Sequence, residues 1–249
     1  GALLLSYLAI ENLDGLENLS VVNSLGIGNC PQLQNIHALS NFTEFDYVNI
    51  GALPLLQSFY GLHNVTHINE RLWLQWLTVS DFSGFNSLVR VVDELYVYGT
   101  TIQTFEGLNN LGSDGSNIKL TLEHNYHFAN FQGLDSVQVL GSFRLVDNHQ
   151  LTSFDGLDSL TNIGYMTIEN GISSWNGIST ISSLEGLYSL TDCGTLNIGY
   201  LEIDSCQYEQ YTAFFESISC YANLWGDIGD GPCEEEDGDG QAPSDEDSA

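Results

Sequence analysis

Trp73 and Gln75 stand two residues apart, and Tyr96 and Tyr98 repeat that spacing 23 residues later. Flat rings beside an amide suit two tasks: stacking on a sugar ring and anchoring a protein partner. Glu123 and Arg144 continue the same series. Trp175 sits further on, in the stretch NGISSWNGIST (170–180). Trp73, Gln75, Tyr96, Tyr98, Glu123, Arg144 and Trp175 are therefore the candidate ligand-binding residues. β-propensity by itself also places Trp and Tyr in strands, so the argument rests on what else shares their face.

The elements that position them come from a repeat. Leu16, Leu39, Leu62, Phe85, Leu108, Leu134, Leu157 and Leu187 are anchors separated by 23, 23, 23, 23, 26, 23 and 30 residues. Three places before each anchor comes Leu13, Ile36, Phe59, Phe82, Phe105, Phe131, Phe154 or Leu184. The places six before and three after are apolar as well. Each unit then ends in an apolar pair two apart, such as Leu25/Ile27, Leu72/Leu74, Leu120/Leu122 and Met166/Ile168. Period two is a strand with one face buried; period three suits turns and short 3₁₀ pieces rather than an α-helix. The chain is thus expected to be mainly β, a solenoid of about nine 23-residue coils. At ~4.8 Å per strand its sheet would run on the order of 40 Å. Trp73, Tyr96, Thr121 and Arg144 fall between inward pairs and so point outward, as do Gln75, Tyr98, Glu123 and Glu169 in the next row. A glycine precedes seven of the eight anchors, implying positive φ or close backbone approach there, with Ala38 the exception.

The pattern L-x-x-F-x-G-L-x-x-L-x-x-I…L-x-I-x-N resembles the receptor L-domain and its bacterial cell-surface relatives, over roughly residues 3–203. The resemblance implies a leucine-rich-repeat-like, right-handed single-stranded β-helix with an extracellular binding or scaffold role. Asn125 and Asn148 stand where leucine-rich repeats carry their asparagine. Asn29 and Asn170 come one residue early, and coils three to five have no evident equivalent.

Three regions follow: a solenoid over 1–203, a Cys-rich helical C-terminal cap over 204–233, and an acidic tail over 234–249 expected to be disordered. Within the cap, CQYEQYTAFFESISC (206–220) reads as an amphipathic α-helix with Tyr211, Phe214, Phe215 and Ile218 on one face, a lid on the last coil. Bacterial relatives often close with a similar Cys-flanked helix. Of five cysteines, Cys193 can bridge to Cys220 and Cys206 to Cys233; Cys206–Cys220 is the competing pairing. Cys30 lies about seven coils away and is expected to be a free thiol or an intermolecular link. The clustering points to an oxidising, extracytoplasmic setting. At the other end, Leu3 and Leu5 match the strand pair of a coil whose first half is absent. Either the chain was cut from a longer protein or another subunit stacks there.

Charge excludes whole classes of partner. Thirty-three acidic residues against four basic ones give a formal net charge of −29. Such a surface repels nucleic acid and anionic lipid, and no apolar run is long enough for a membrane span. No G-x-S-x-G, phosphate loop or dinucleotide fingerprint is present, and Glu123 and Glu169, two coils apart, would stand ~10 Å from each other, at or beyond the spacing of an inverting glycosidase. Six histidines (37, 63, 67, 124, 127, 149) offer no convincing third metal ligand. No metal, cofactor or catalysis is expected. Asn18, Asn41 and Asn64 head glycosylation sequons on one repeat position. The sequence therefore points first to an extracellular or cell-surface recognition and adhesion module that binds a glycan or protein through the outward sheet face. The alternatives are a structural subunit assembling end to end through its N-terminal coil and a carbohydrate-active β-helix enzyme.

Overall fold

Each apolar pair lies in a strand. The computed structural model describes residues 1–169 and 181–229. Its strands are β1 (Ala2–Ser6), β2 (Ser24–Gly28), β3 (Glu44–Phe45), β4 (Tyr47–Leu53), β5 (His67–Ile68), β6 (Arg71–Leu77) and β7 (Arg90–Val91). They continue as β8 (Glu94–Tyr98), β9 (Ile118–Glu123), β10 (Val139–Val146), β11 (Asn162–Glu169), β12 (Asp192–Asp204) and β13 (Tyr221–Gly229). Ten of them form one parallel sheet in the order β1-β2-β4-β6-β8-β9-β10-β11-β12-β13, while β3, β5 and β7 make a short second sheet. The result is a β-solenoid of about nine turns.

Register follows the apolar pairs. Leu25 pairs with Val48, Val48 with Leu72, Leu72 with Leu95 and Leu95 with Leu120, so inward residues stack on inward residues. A slip of one residue would turn all of them to solvent. The return wall explains the period of three. The N–H of Leu16 bonds to the carbonyl of Leu13, and that of Leu19 to Leu16; Leu62 to Phe59 and Val65 to Leu62 repeat the motif. These are successive i→i+3 turns, which bring every third side chain to the same side.

Inside, the phenylalanines form a file. Phe82 and Phe105 stack with ring centroids 5.1 Å apart, Phe105 and Phe131 at 6.1 Å, and Phe131 and Phe154 at 5.8 Å. All are fully buried. At ~1.5–3 kcal/mol per buried side chain, these columns dominate stability.

From Gly61 onward, the glycine before each anchor is required by the backbone of the preceding coil, whereas Gly15 meets no neighbour and is set apart only by its φ of +97°. Gly84 has φ +113°, and a Cβ there would lie 2.1 Å from the Phe59 carbonyl carbon. Gly186 has no positive φ, yet its Cβ would meet the Phe154 oxygen at 2.2 Å. Ala38 lies in a 3₁₀ segment, His37–Leu39, without a positive φ.

Each coil leaves the sheet through a second corner. Tyr7, Asn29, Ala52, Trp76, Gly99, His124, Asp147 and Tyr200 all have φ between 51° and 62° and occupy one repeat position. The residue after each corner but Tyr7 turns back into the core: Cys30, Leu53, Leu77, Thr100, Asn125, Asn148 and Leu201 are buried, whereas Leu8 is exposed. Asn29 is thus early by one because it is a left-handed corner, for which Asn is well suited. Cys30, Thr100, Asn125 and Asn148 fill the asparagine column proper. Thr100 N and Oγ1 donate to Asn125 Oδ1 at 3.0 and 2.7 Å, and Asn125 Nδ2 donates to the Val97 carbonyl at 3.0 Å. Asn148 Nδ2 donates to the Leu122 carbonyl at 2.9 Å. Cys30 Sγ lies 3.4 Å from the Gly28 carbonyl, and the thiol is free and buried.

The expected C-terminal helix is present, and a strand follows it. Helix α1 (Ser205–Ser217) is capped by Asp204, whose side chain accepts from the Gln207 N–H, with the Gln207 side chain returning the bond. Tyr211 and Phe215 are buried and Phe214 and Ile218 pack against the core. After it the chain enters β13, in which Ala222 pairs with Leu196 and Leu224 with Ile198. The C-terminal segment therefore contributes both the helix α1 and a tenth strand, β13, to the sheet. Cys193 and Cys220 form a disulfide, which excludes the Cys206–Cys220 pairing. Cys206 is also disulfide-bonded; Cys233, the partner expected for it, lies outside the described residues, as does the acidic tail. Among the described residues no helix is long and apolar enough to cross a membrane.

Candidate functional site

Parallel register sorts the outward face of the large sheet into three zones. Over β1, β2 and β4 the outward residues are mostly small: Ser6, Gly26, Gly28 and Gly51, beside Leu4 and Asn49. Over β6 and β8 they are aromatic. Over β9, β10 and β11 they include the charged Lys119, Glu123, Arg144 and Glu169 beside Thr121, Val146 and Thr167.

The aromatic zone is a chain of contacts. Tyr47 meets Trp73 edge-on at 5.9 Å, Trp73 meets Tyr96 at 5.8 Å, and Tyr96 stacks on Tyr98 at 6.1 Å. Tyr98 is then flanked by Trp76 at 5.0 Å and His124 at 5.2 Å. Arg71 places its guanidinium carbon 5.6 Å from the centre of the Trp73 ring. The three expected rings come together, but each is half-buried by its neighbours. The most open ring of the group is Trp76, 57% exposed. Strict alternation assigns Trp76 to the core, since Leu74 is inward. The left-handed corner reverses that alternation and turns it outward. Its place in the same column as Asn29 and Gly99 was the available signal.

Polar groups brace the rings. Tyr96 donates its hydroxyl to Glu123 Oε2 at 2.9 Å. Burial, reinforced by that carboxylate, holds the Tyr96 phenol protonated far above its ordinary range. Gln75 Nε2 donates to Asn49 Oδ1 at 3.3 Å, which fixes both amides on the face. Burial also raises the Tyr47 phenol, against a smaller opposing pull from Asn49 and Arg71.

In the charged zone Arg144 lies between the two carboxylates, with Nε 3.6 Å from Glu123 and a terminal nitrogen 3.3 Å from Glu169. Both acids are committed to one cation, an arrangement suited to holding adjacent strands in register. The remaining bases are similarly engaged: Arg71 and Lys119 with Asp93, and Arg90 with Asp114. Each of the four basic residues of the chain is thus ion-paired.

Beside the aromatic zone, the glycines open a trough of about 500 Å³. Leu4, Tyr47, Asn49, Gln75 and Trp76 border it over a floor that includes Gly26, Gly28 and Gly51. Of the expected site residues only Gln75 lines it. Trp175 lies outside the described residues.

Other candidate groups are occupied locally. His124 Nδ1 is 3.2 Å from Asp147 Oδ2, His149 stacks on Tyr126, and His63 stacks on Tyr60. Among the described residues no three His, Cys, Asp or Glu side chains converge on a metal-sized site. The sequon residues Asn41 and Asn64 donate Nδ2 to the carbonyls of Glu17 and Ser40 in the preceding coil, at 2.5 and 2.8 Å. That nitrogen is the one a glycan would occupy, so at both positions it serves as a coil-to-coil strut. No protein-family model and no curated protein matches the chain.

Proposed function

We propose that the chain is an extracellular or cell-surface recognition and adhesion module of the leucine-rich-repeat-like, receptor L-domain type, and that it binds a glycan or protein through the outward face of its sheet. The observation that carries this is the continuous run of rings Tyr47, Trp73, Tyr96, Tyr98 and Trp76 on one rigid parallel sheet. Such rings present apolar area at low entropic cost, and the fixed Asn49–Gln75 amides and the Tyr96 hydroxyl supply polarity beside them. A solenoid suits this work because its binding surface is held by the stacked core rather than by mobile loops. The Cys193–Cys220 disulfide agrees with an oxidising compartment outside the cytoplasm.

The test is binding of the purified chain to arrays of glycans and of surface proteins, with a Tyr96→Ala/Tyr98→Ala variant alongside. Both side chains are outward, so the thermal transition should stay cooperative while array binding falls tenfold or more. Absence of binding on every array, or undiminished binding by the folded variant, overturns the reading.

A further inference from the structure

The trough on β2 and β4 rests in part on two glycines, Gly26 and Gly28, that the fold does not need. Glycine in a strand interior costs roughly 0.5–1 kcal/mol relative to alanine and marks close approach of a backbone or a ligand. At Gly84 and Gly186 the approaching group is the backbone of the preceding coil. Gly28 differs. It has no positive φ, and the nearest atom to a Cβ there would be the Gly51 oxygen at 3.5 Å, an ordinary contact. At Gly26 a Cβ would meet only the end of the Leu4 side chain. Neither conformation nor crowding explains glycine at these two places. What they have in common is the floor of the same open trough.

The lining also says what kind of molecule fits. Its side chains are Leu4, Ser6, Ile27, Asn29, Tyr47, Asn49, Ala52, Gln75 and Trp76, none of them charged, in a chain of net charge −29. An anionic ligand would meet no cation there, since Arg71, Arg90, Lys119 and Arg144 are all ion-paired elsewhere. A cationic ligand would find acids in abundance at other places but none in the trough. Trp76 forms one wall from a left-handed corner where a bulky side chain costs of order 1–3 kcal/mol, although Asn29 and Gly99 show that cheaper residues serve at that position. The Asn49–Gln75 amide pair offers oriented donors and acceptors at the border of the trough.

We propose that this trough binds an uncharged oligosaccharide, with one sugar ring laid on Trp76, hydroxyls bonded to the Asn49 and Gln75 amides, and the chain lying against Gly26, Gly28 and Gly51. From β1 to β6 the trough crosses three strand spacings, roughly 14 Å, enough for a short oligosaccharide. The proposal rests on the recognition reading above and names its ligand class. Glycine is kept at 26 and 28 because any side chain there would occupy the space of the sugar.

The experiment titrates neutral gluco-, manno-, galacto- and N-acetylhexosamine oligosaccharides, and uronate oligomers as anionic counterparts, into wild type, Gly28→Val, Trp76→Ala and Tyr96→Ala. Calorimetry and tryptophan fluorescence read binding; circular dichroism and melting check folding. Wild type is expected to bind at least one neutral series and no uronate series, with Gly28→Val and Trp76→Ala weakened tenfold or more at unchanged secondary structure. Preference for uronates, lack of binding to any neutral series, or full affinity in a folded Gly28→Val overturns the proposal. Array binding lost in Tyr96→Ala but intact in Gly28→Val would sink the trough and leave the broader recognition reading standing; no binding to any glycan or protein sinks both.

Discussion

The side-chain oxygen of Asn148 accepts the backbone N–H of Asn125 across 3.3 Å, with both residues buried. Each asparagine thus satisfies backbone groups of the coil beside it. Asn125 does so for the Thr100 N–H and the Val97 carbonyl. Replacing Asn125 with Ala strands these two groups, at ~1–3 kcal/mol each. Urea denaturation should show a loss of about 2–6 kcal/mol. Leu53 and Leu77 occupy the same column elsewhere, so Thr100→Val with Asn125→Leu should recover part of it.

Two glycines should respond in opposite senses. Gly84→Ala forces a Cβ onto the Phe59 carbonyl from a left-handed backbone, and is expected to cost ~3 kcal/mol or more. Gly28→Ala makes only an ordinary contact with the Gly51 oxygen and should stabilise by roughly 0.5–1 kcal/mol. Thermal melts of the two variants, run together, check the contrast.

Acid should act on the Asp93 cluster. The Arg71 guanidinium, and after it the Lys119 ammonium, hold the Asp93 carboxyl below its ordinary value. A lowered folded pKa contributes stability that is fully present above the unfolded value, ~3.9, and is lost as pH falls through the folded one. Wild type should therefore exceed Asp93→Asn above about pH 5, and the difference should vanish as pH drops well below 4. Because the side chain is 37% exposed, screening limits the effect to under ~1 kcal/mol. Paired melts between pH 2.5 and 7 measure it.

Removing the Cys193–Cys220 bridge should loosen one end of the molecule only. The loop closed spans 27 residues, worth about 3.5 kcal/mol in the chain-entropy description. In Cys193→Ala/Cys220→Ala, amides of β13 and α1 should exchange much sooner, while those of β4 to β9 keep their protection, because coils couple to nearest neighbours.

The stacked core was readable in the sequence because each coil repeats the same two demands, a period of two for the sheet and of three for the turns. Phe82, Phe105, Phe131 and Phe154 stack in the file their spacing called for. The candidate site was only partly readable. Trp73, Tyr96 and Tyr98 share a face as register requires, but how far each ring covers the next depends on side-chain packing that no spacing encodes. Trp76 escaped because a left-handed residue breaks the alternation used to find outward positions. The glycine trough escaped because Gly26 and Gly28 look, in one dimension, like the glycines that the turns demand. Strand β13 escaped because Ala222 and Leu224 follow a helix rather than the usual run of turns. Cys30 stands out as an odd thiol in a list of cysteines and becomes intelligible only as the apolar counterpart of Asn125, in the same column.

The row of left-handed corners has a use beyond shaping the backbone. Tyr7, Asn29, Ala52, Trp76 and His124 stand outside the core, at most one to a coil and ~4.8 Å from the next where coils adjoin. Their side chains leave the molecule where the interior imposes no shape on them. Such a line can be rewritten letter by letter while the scaffold beneath stays as it is, which makes it a natural place for one architecture to acquire different tastes.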